Sequence, residues 1–401
     1  MAGFWSMGLI RPLLGLVLVM AGAPVLGQTQ PAPCRVETVS LGGAGATASR
    51  IIQKQVDQRG LAAALYRITQ SGTLIAEGLV GENQVGVPLT GAERFRNGNV
   101  AFAYMGTLLM LMAESGEVSL TDSLSRWLPH RELPNADLVT LGMLARHMSG
   151  YPDYVPDEGF LTTFADDPFQ AFSPEQLLTI AFATPPLYPP GSAWNYSHTN
   201  YVLLGEALAR AGGKSLADLL LERVIEPMGL AHTIPVTTPA LPPPVLHTTT
   251  RERGPFEEST FWNPSWQTAP GAVLATTLCD LSRSATAVGT GELLRETSMA
   301  TMTVDSPVQH RSPPEECPAT VCRSFPDGVH FGLGVVLING WVVQTPLFGG
   351  QGVLHGYLPD QQLSVAIVTV SGRDSEPDTN HAQEIWKRLA EELTPENVPP
   401  F

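Results

Sequence analysis

The sequence predicts an α/β protein of the α+β type: an antiparallel sheet flanked by helices, with an all-helical subdomain between the two sequence halves of the sheet. Three observations carry this: β-rich runs toward both ends, a long apolar helix after the first of them, and a central block of capped, periodic helices. From Leu61, "LAAALYRITQSGTLIAEGLVGENQVGVPLT" holds two β-rich runs around the turn "QSG", a hairpin. Asn99 to Ser115 reads as a helix apolar almost all round, which belongs in a core. Between Ser119 and Met228, "SLTDSLSRWLP", "TLGMLARHMSG", "SPEQLLTIAFA" and "SLADLLLERVIEPMGL" each set a Ser or Thr ahead of periodic apolar residues. A Pro-rich connection fills Ile234 to Gly271. A helix over "LCDLSRSATAVG" follows. Then come three successive strands in "VHFGLGVVLINGWVVQTPLFGG", "GVLHGYLPD" and "QLSVAIVTVSG", with turns at "NG" and "PDQQ", and an amphipathic helix "HAQEIWKRLAEEL". The expected division is a leader over 1–27, a sheet domain over 28–117 and 265–401, and a helical subdomain over 118–264. The Gly cluster "GGAGATAS" follows no predicted strand, which discounts a nucleotide site there.

The leader follows from the first residues. Arg11 precedes an uncharged apolar run from Pro12 to Val25, and "VLG" before Gln28 has the small-residue spacing of a signal-peptidase site. No later stretch offers about 18 uninterrupted apolar residues, so the mature chain is expected to be secreted or periplasmic, without a membrane span. Cys34, Cys279, Cys317 and Cys322 are an even set, as an oxidising compartment favours. "CPATVC" makes Cys317–Cys322 the natural local pair and leaves Cys34–Cys279 as a long-range bridge. A zinc reading would recruit His310 and His330, but the spacing is irregular and the loop Pro-rich, so no metal or other cofactor is expected. A net charge of −15 argues against nucleic acid or an anionic membrane surface as partner.

Several segments together resemble the penicillin-recognising serine hydrolases, in their branch of class C β-lactamases, D-Ala-D-Ala carboxypeptidases and family VIII esterases. "YPPGSAWNYSHTNYVLLGEAL" is close to that family's Pro-Gly…Tyr-Ser-Asn-x-x-Tyr-x-x-Leu-Gly signature, and "LARHMSGYPDY" resembles its Thr-His-Thr-Ser-Gly turn. "ESGEVSLTDSLSRWLP", "APGAVLATTLCDLSR" and "FGLGVVL" also fit, so the likeness spans roughly residues 50–395. It implies a five-stranded antiparallel sheet, an all-helical part and a cleft between them. It also implies chemistry: a Ser at the start of the buried helix attacks a carbonyl, and a Lys one turn on and a Tyr move protons. A backbone oxyanion site stabilises the intermediate.

The reactive residues are missing. The flanks "FRNG" and "YMGTLLMLMAESGEVSL" put Asn99 at the Ser position and Phe102 at the Lys position. An amide is no useful nucleophile and a phenyl ring moves no protons. The motif has not moved: three residues before Lys54, Lys214 and Lys387 stand Ile51, Ala211 and Glu384, and there is no Gly-x-Ser-x-Gly elbow. In the second motif Tyr196 is kept and His198 replaces the usual Asn. In the third, "FGGQGVLHGYLPD", Gly349, Gly352 and Gly356 keep the glycine spacing while Gly350 replaces the His or Lys. His355, five residues on, reads first as a strand-turn residue and alternatively as one that reaches the cleft.

Asn99 would serve the helix as an N-cap as well as Ser does, and Phe102 would supply buried area that needs no partner. Tyr196, without a cationic neighbour, should titrate near an ordinary phenol's ~10 and make a poor base. Tyr196 and His198 are either a retained packing turn or a pair that transfers protons. His147 reads as a satisfied structural histidine, and Trp194, Tyr151, Tyr154, Trp262 and Trp266 as loop aromatics, some of which wall the cleft. The ligand cleft is therefore expected to comprise Asn99, Phe102, Tyr196, His198, Gly350, Gly352 and His355. The functional expectation is a binding or regulatory pseudoenzyme for a peptide or small acyl ligand. The alternative is an active esterase, peptidase or β-lactam hydrolase using Tyr196, His198 or a reassigned Ser197.

Overall fold

The computed structural model describes residues 32–401 apart from 316, 319 and 320, so the expected leader over 1–27 lies outside the described residues. Residues 33–401 pack as one compact unit. The N-terminal hairpin forms as expected from β1 (Ala63–Gln70) and β2 (Thr73–Gln84), turning at Ser71 and Gly72, both with positive φ. Toward the C-terminus lie β3 (Val329–Phe331), β4 (Val336–Ile338), β5 (Trp341–Gln344), β6 (Gln351–Leu358) and β7 (Leu363–Val370). Asn339 and Gly340 turn the chain from β4 into β5, with φ of 46° and 87°, the left-handed geometry that twisted hairpins require. The sheet runs β2-β1-β7-β6-β5-β4-β3, antiparallel throughout, with the short strand Val39–Ser40 outside β2. It is wider than five strands because short strands extend both edges. The halves of the sequence meet where β1 pairs β7, from Ala63↔Val370 to Gln70↔Leu363.

Strand periodicity assigns the two faces. Val365 and Ile367 of β7 turn to helices α1 (Gly42–Arg59) and α5 (His381–Leu393), where Ile52, Ile385 and Trp386 cover them. Ala366 and Val368 turn to the other face, onto the core built around α2 (Val100–Glu114) and α4 (Leu278–Thr290). α2 is buried over most of its length, and each fully buried Leu or Met contributes about 1.5–3 kcal/mol. Gly106 is needed there because an added Cβ would clash with the Leu333 carbonyl. α1 begins inside the Gly cluster, where low helix propensity hides it from a sequence reading. Gly45 lets its first turn lie against the Ile75 carbonyl of β2.

Between α2 and α4 the chain forms Leu124–Trp127, Leu141–Ala145, Glu158–Asp166, Pro174–Ala181, α3 (His198–Gly212) and Leu216–Leu220. Thr140, Ser173 and Ser215 cap their helices through side-chain oxygens, Ser173 in a full capping box with Gln176, whereas Leu124–Trp127 has no side-chain cap. Glu158–Asp166, capped by Asp157, carries no Ser or Thr signal and was not expected. Cysteines pair as Cys317–Cys322 and Cys34–Cys279, the second tying the start of the described chain to α4. His310 bonds Asp305 at 2.7 Å and His330 the Thr303 carbonyl at 2.8 Å, so neither turns to the cysteines. No helix among the described residues is long and apolar enough to cross a membrane.

Candidate active site

The site forms where the start of α2 meets the start of α3. Asn99 precedes α2 with helical backbone angles, φ −69° and ψ 0°, and its side chain caps nothing. The amide instead donates to the Tyr196 hydroxyl. This corrects the expected capping role: a residue already in the helical region aims its side chain away from the helix's own N–H groups. One turn on, Phe102 stacks on Tyr201 of α3, with centroids 3.6 Å apart and planes 10° from parallel. Tyr196 and His198 lie 6.1 and 6.3 Å from the Phe102 ring. Asn99, Phe102, Tyr196 and His198 thus lie together.

Burial, then the charge of Asp153 and then Tyr201, hold the Tyr196 hydroxyl well above an ordinary phenol's pKa, with Asn99 opposing. The expectation of an ordinary value fails because the ring is crowded and its nearest charge is negative. Burial thus favours the protonated phenol at neutral pH.

Asp153 was not foreseen. It lies in the "GYPDY" turn, and its Oδ1 accepts the His198 backbone N–H at 3.1 Å while Oδ2 meets His198 Nδ1 at 3.1 Å. Ser197 precedes α3 without capping it, so Asp153 serves as a carboxylate at that helix's N-terminus. A sequence signal existed only as an acid in a matched turn; the 45-residue separation is tertiary. With Nδ1 held, Nε2 is the ring nitrogen left for other chemistry. Around His198 lie Tyr196 at 5.1 Å, Tyr154 at 5.8 Å and Trp266 at 5.9 Å.

Ser197 is no nucleophile. It is fully buried, and its hydroxyl donates to the Pro152 carbonyl at 3.0 Å. His147 is only half satisfied, contrary to expectation. Nδ1 accepts from the Ser197 N–H and the Asn200 amide at 3.2 Å each, so the proton sits on Nε2, which is buried without a partner among the described residues. Burial, then nearby His198, lowers its pKa well below that of a free imidazole.

The third motif departs further. Gly349 and Gly350 have φ of 54° and 74°, and a side chain at Gly350 would run into the Thr249 carbonyl. A strap formed by the paired strands Thr249–Thr250 and Glu257–Glu258 covers this edge. Glu252 of the strap accepts the Gly350 N–H at 3.0 Å, and Ser259 donates to the Gly349 carbonyl at 2.5 Å. Arg96, buried beside the start of α2, fastens the region by donating to the carbonyls of Pro239, Thr260 and Trp262. Gly352 faces Asn380 and Thr369 under the start of α5. His355 is also misplaced by the expectation. It shares a face of β6 with Val353, lies 2% exposed, and meets Ser284 of α4 at 3.1 Å, inside the core. Of the loop aromatics, Trp266, Tyr154 and Trp194 border the site. Tyr151, Tyr154, Trp194 and Trp262 are buried, and the Tyr154 hydroxyl bonds the Trp266 carbonyl.

Residues 48–390 match the family described as "Beta-lactamase". The chain belongs to the beta-lactamase family. Within the family it is 29% identical over 160 residues to penicillin-binding protein 4 of Amycolatopsis lactamdurans, covering 39% of this chain and 40% of that protein. It is 26% identical over 194 residues to esterase EstB of Burkholderia gladioli, covering 45% and 48%. The matched stretches thus span less than half of these relatives. A D-stereospecific amidohydrolase from Streptomyces sp. superposes with a TM-score of 0.72 at 24% identity, covering 87% of this chain and 98% of that one. An octameric penicillin-binding protein homologue from Pyrococcus abyssi gives 0.70 at 19%, covering 89% and 79%. At these identities the structural likeness establishes the shared fold.

Proposed function

We propose that this chain is an exported pseudoenzyme of the beta-lactamase family, binding a small acyl or peptide ligand without forming an acyl-enzyme. The observation that carries it is the pairing of Asn99 with the Tyr196 hydroxyl and of Phe102 with the Tyr201 ring. The attacking oxygen and the cation of the family mechanism have no counterpart at these positions. The leader-like pattern read in residues 1–27 and two disulfides support export. A division into a sheet domain (28–117, 265–401) and a helical subdomain (118–264), with the ligand between them, belongs to the same reading. Intact mass measured after incubation with a fluorescent penicillin and with a fluorophosphonate tests it. An unchanged mass is expected, and a stoichiometric adduct would sink it.

The Asp153–His198 pair favours a second reading: hydrolysis of an ester or amide by a water that His198 deprotonates, with no covalent intermediate. The relative esterase EstB lends it chemistry. Ester turnover that survives purification and disappears in His198→Ala would establish this reading over the first.

A further inference from the structure

A groove of about 440 Å³ opens beside Tyr196. One wall is Trp194 against Phe325, ring centroids 4.5 Å apart, and the rim carries Leu161, an apolar side chain 48% exposed. Two charged residues line the groove, Asp153 and Arg323. Asp153 is committed: besides His198 it accepts the Val155 N–H at 3.3 Å. Arg323 is exposed and makes no ion pair or hydrogen bond among the described residues, although the chain carries a net charge of −15. It is not on a free-swinging segment. It follows Cys322, whose disulfide with Cys317 is buried against Tyr188 and Ala193, next to Trp194 in the signature turn. An uncommitted guanidinium, one residue from an anchored disulfide and beside an aromatic wall, suits a ligand with an apolar body and one carboxylate.

We infer that this groove binds a hydrophobic monocarboxylate of the arylalkanoic type, its ring on Trp194 and Phe325 and its carboxylate on Arg323. The inference rests on the proposal that the protein binds rather than acylates. It moves the ligand from the filled centre around Phe102 to the opening beside Tyr196.

Calorimetry on the full disulfide-bonded chain tests it, with 3-phenylpropionate, its neutral amide, and N-acetylphenylalanine as a carboxylate on a peptide unit. The acid is expected to bind at least about fivefold more tightly than the amide, with a difference that shrinks as salt rises. Arg323→Gln should erase that difference and Arg323→Lys should keep most of it, both variants melting with the native chain. If N-acetylphenylalanine binds more tightly than 3-phenylpropionate, the natural carboxylate is peptide-borne; the reverse order assigns a free acid. Equal binding of acid and amide to the native chain, undiminished acid binding in Arg323→Gln, or no binding at millimolar concentration would each overturn it. A covalent penicillin adduct would instead remove the non-acylating reading, and the acid-against-amide contrast would still report on the groove alone.

Discussion

Phe102 and Tyr201 lie face to face with 3.6 Å between ring centroids, joining the two helices that would carry the machinery of an active relative. The position that would hold a catalytic Lys is here a fully buried contact. Phe102→Lys would put an unpaired ammonium into this core at a cost of about 3–5 kcal/mol. Asn99→Ser would also remove the partner of Tyr196. The Asn99→Ser/Phe102→Lys double variant is therefore expected to unfold at lower urea and to gain no ester, amide or β-lactam turnover. Stable folding with new turnover would contradict this.

The strap over Gly349 and Gly350 sets a second obstacle. Gly350→His requires a side chain at φ 74° where the Thr249 carbonyl already sits. A loss of about 2 kcal/mol or more is expected, measurable as a shift in denaturation midpoint. Gly86, with φ 76° and open space around it, is the control: Gly86→Ala should cost less.

Acid stability should follow the buried histidines. Burial lowers His355 to about 4, and His147 is lowered as well. The unfolded chain therefore takes up protons that the folded chain refuses. His355's contribution is complete above pH 6.5 and is lost as pH falls toward 4, amounting to about 3 kcal/mol. Urea midpoints at pH 7 and pH 4.5 should differ accordingly, and His355→Gln should flatten the difference. On the alkaline side, Tyr154, Tyr196 and Tyr201 are held protonated by burial above 10, so stability should fall as pH rises past 10.

Asp153→Ala should cost about 1 kcal/mol through the lost helix-terminal carboxylate. Nitrogen-15 NMR should also show the His198 proton no longer fixed on Nδ1. An unchanged tautomer would mean that Asp153 does not orient the ring.

Breaking Cys34–Cys279 by a double Ser substitution should lower stability by about 4–5 kcal/mol, given the 245-residue separation it closes. Thermal melting checks this. The Cys317–Cys322 pair closes only a short loop and should matter less for global stability than for the groove.

Strands, α2 and the capped central helices were legible in the sequence because each depends on local periodicity and turn chemistry. α1 was not, since tertiary contact at Gly45 overrides the poor propensity of its glycines. The site was legible by residue identity at Asn99, Phe102, Tyr196 and His198. What each side chain touches was not: Asn99 reaches across 97 residues to Tyr196, and Asp153 reaches His198 from a separate turn. His355 was misplaced because both faces of β6 are buried, and alternation alone does not say which core receives it.

The β1–β7 pairing has a consequence for how the molecule assembles. About 300 residues separate partners such as Ala64 and Thr369, so the edge of the N-terminal hairpin waits for almost the entire chain before it is covered. Closure of so long a loop is entropically costly and slow, and an open, apolar strand edge invites pairing with another chain in the meantime. Newly made protein is most exposed to aggregation after its first 90 residues have formed a hairpin and before its last 40 have arrived.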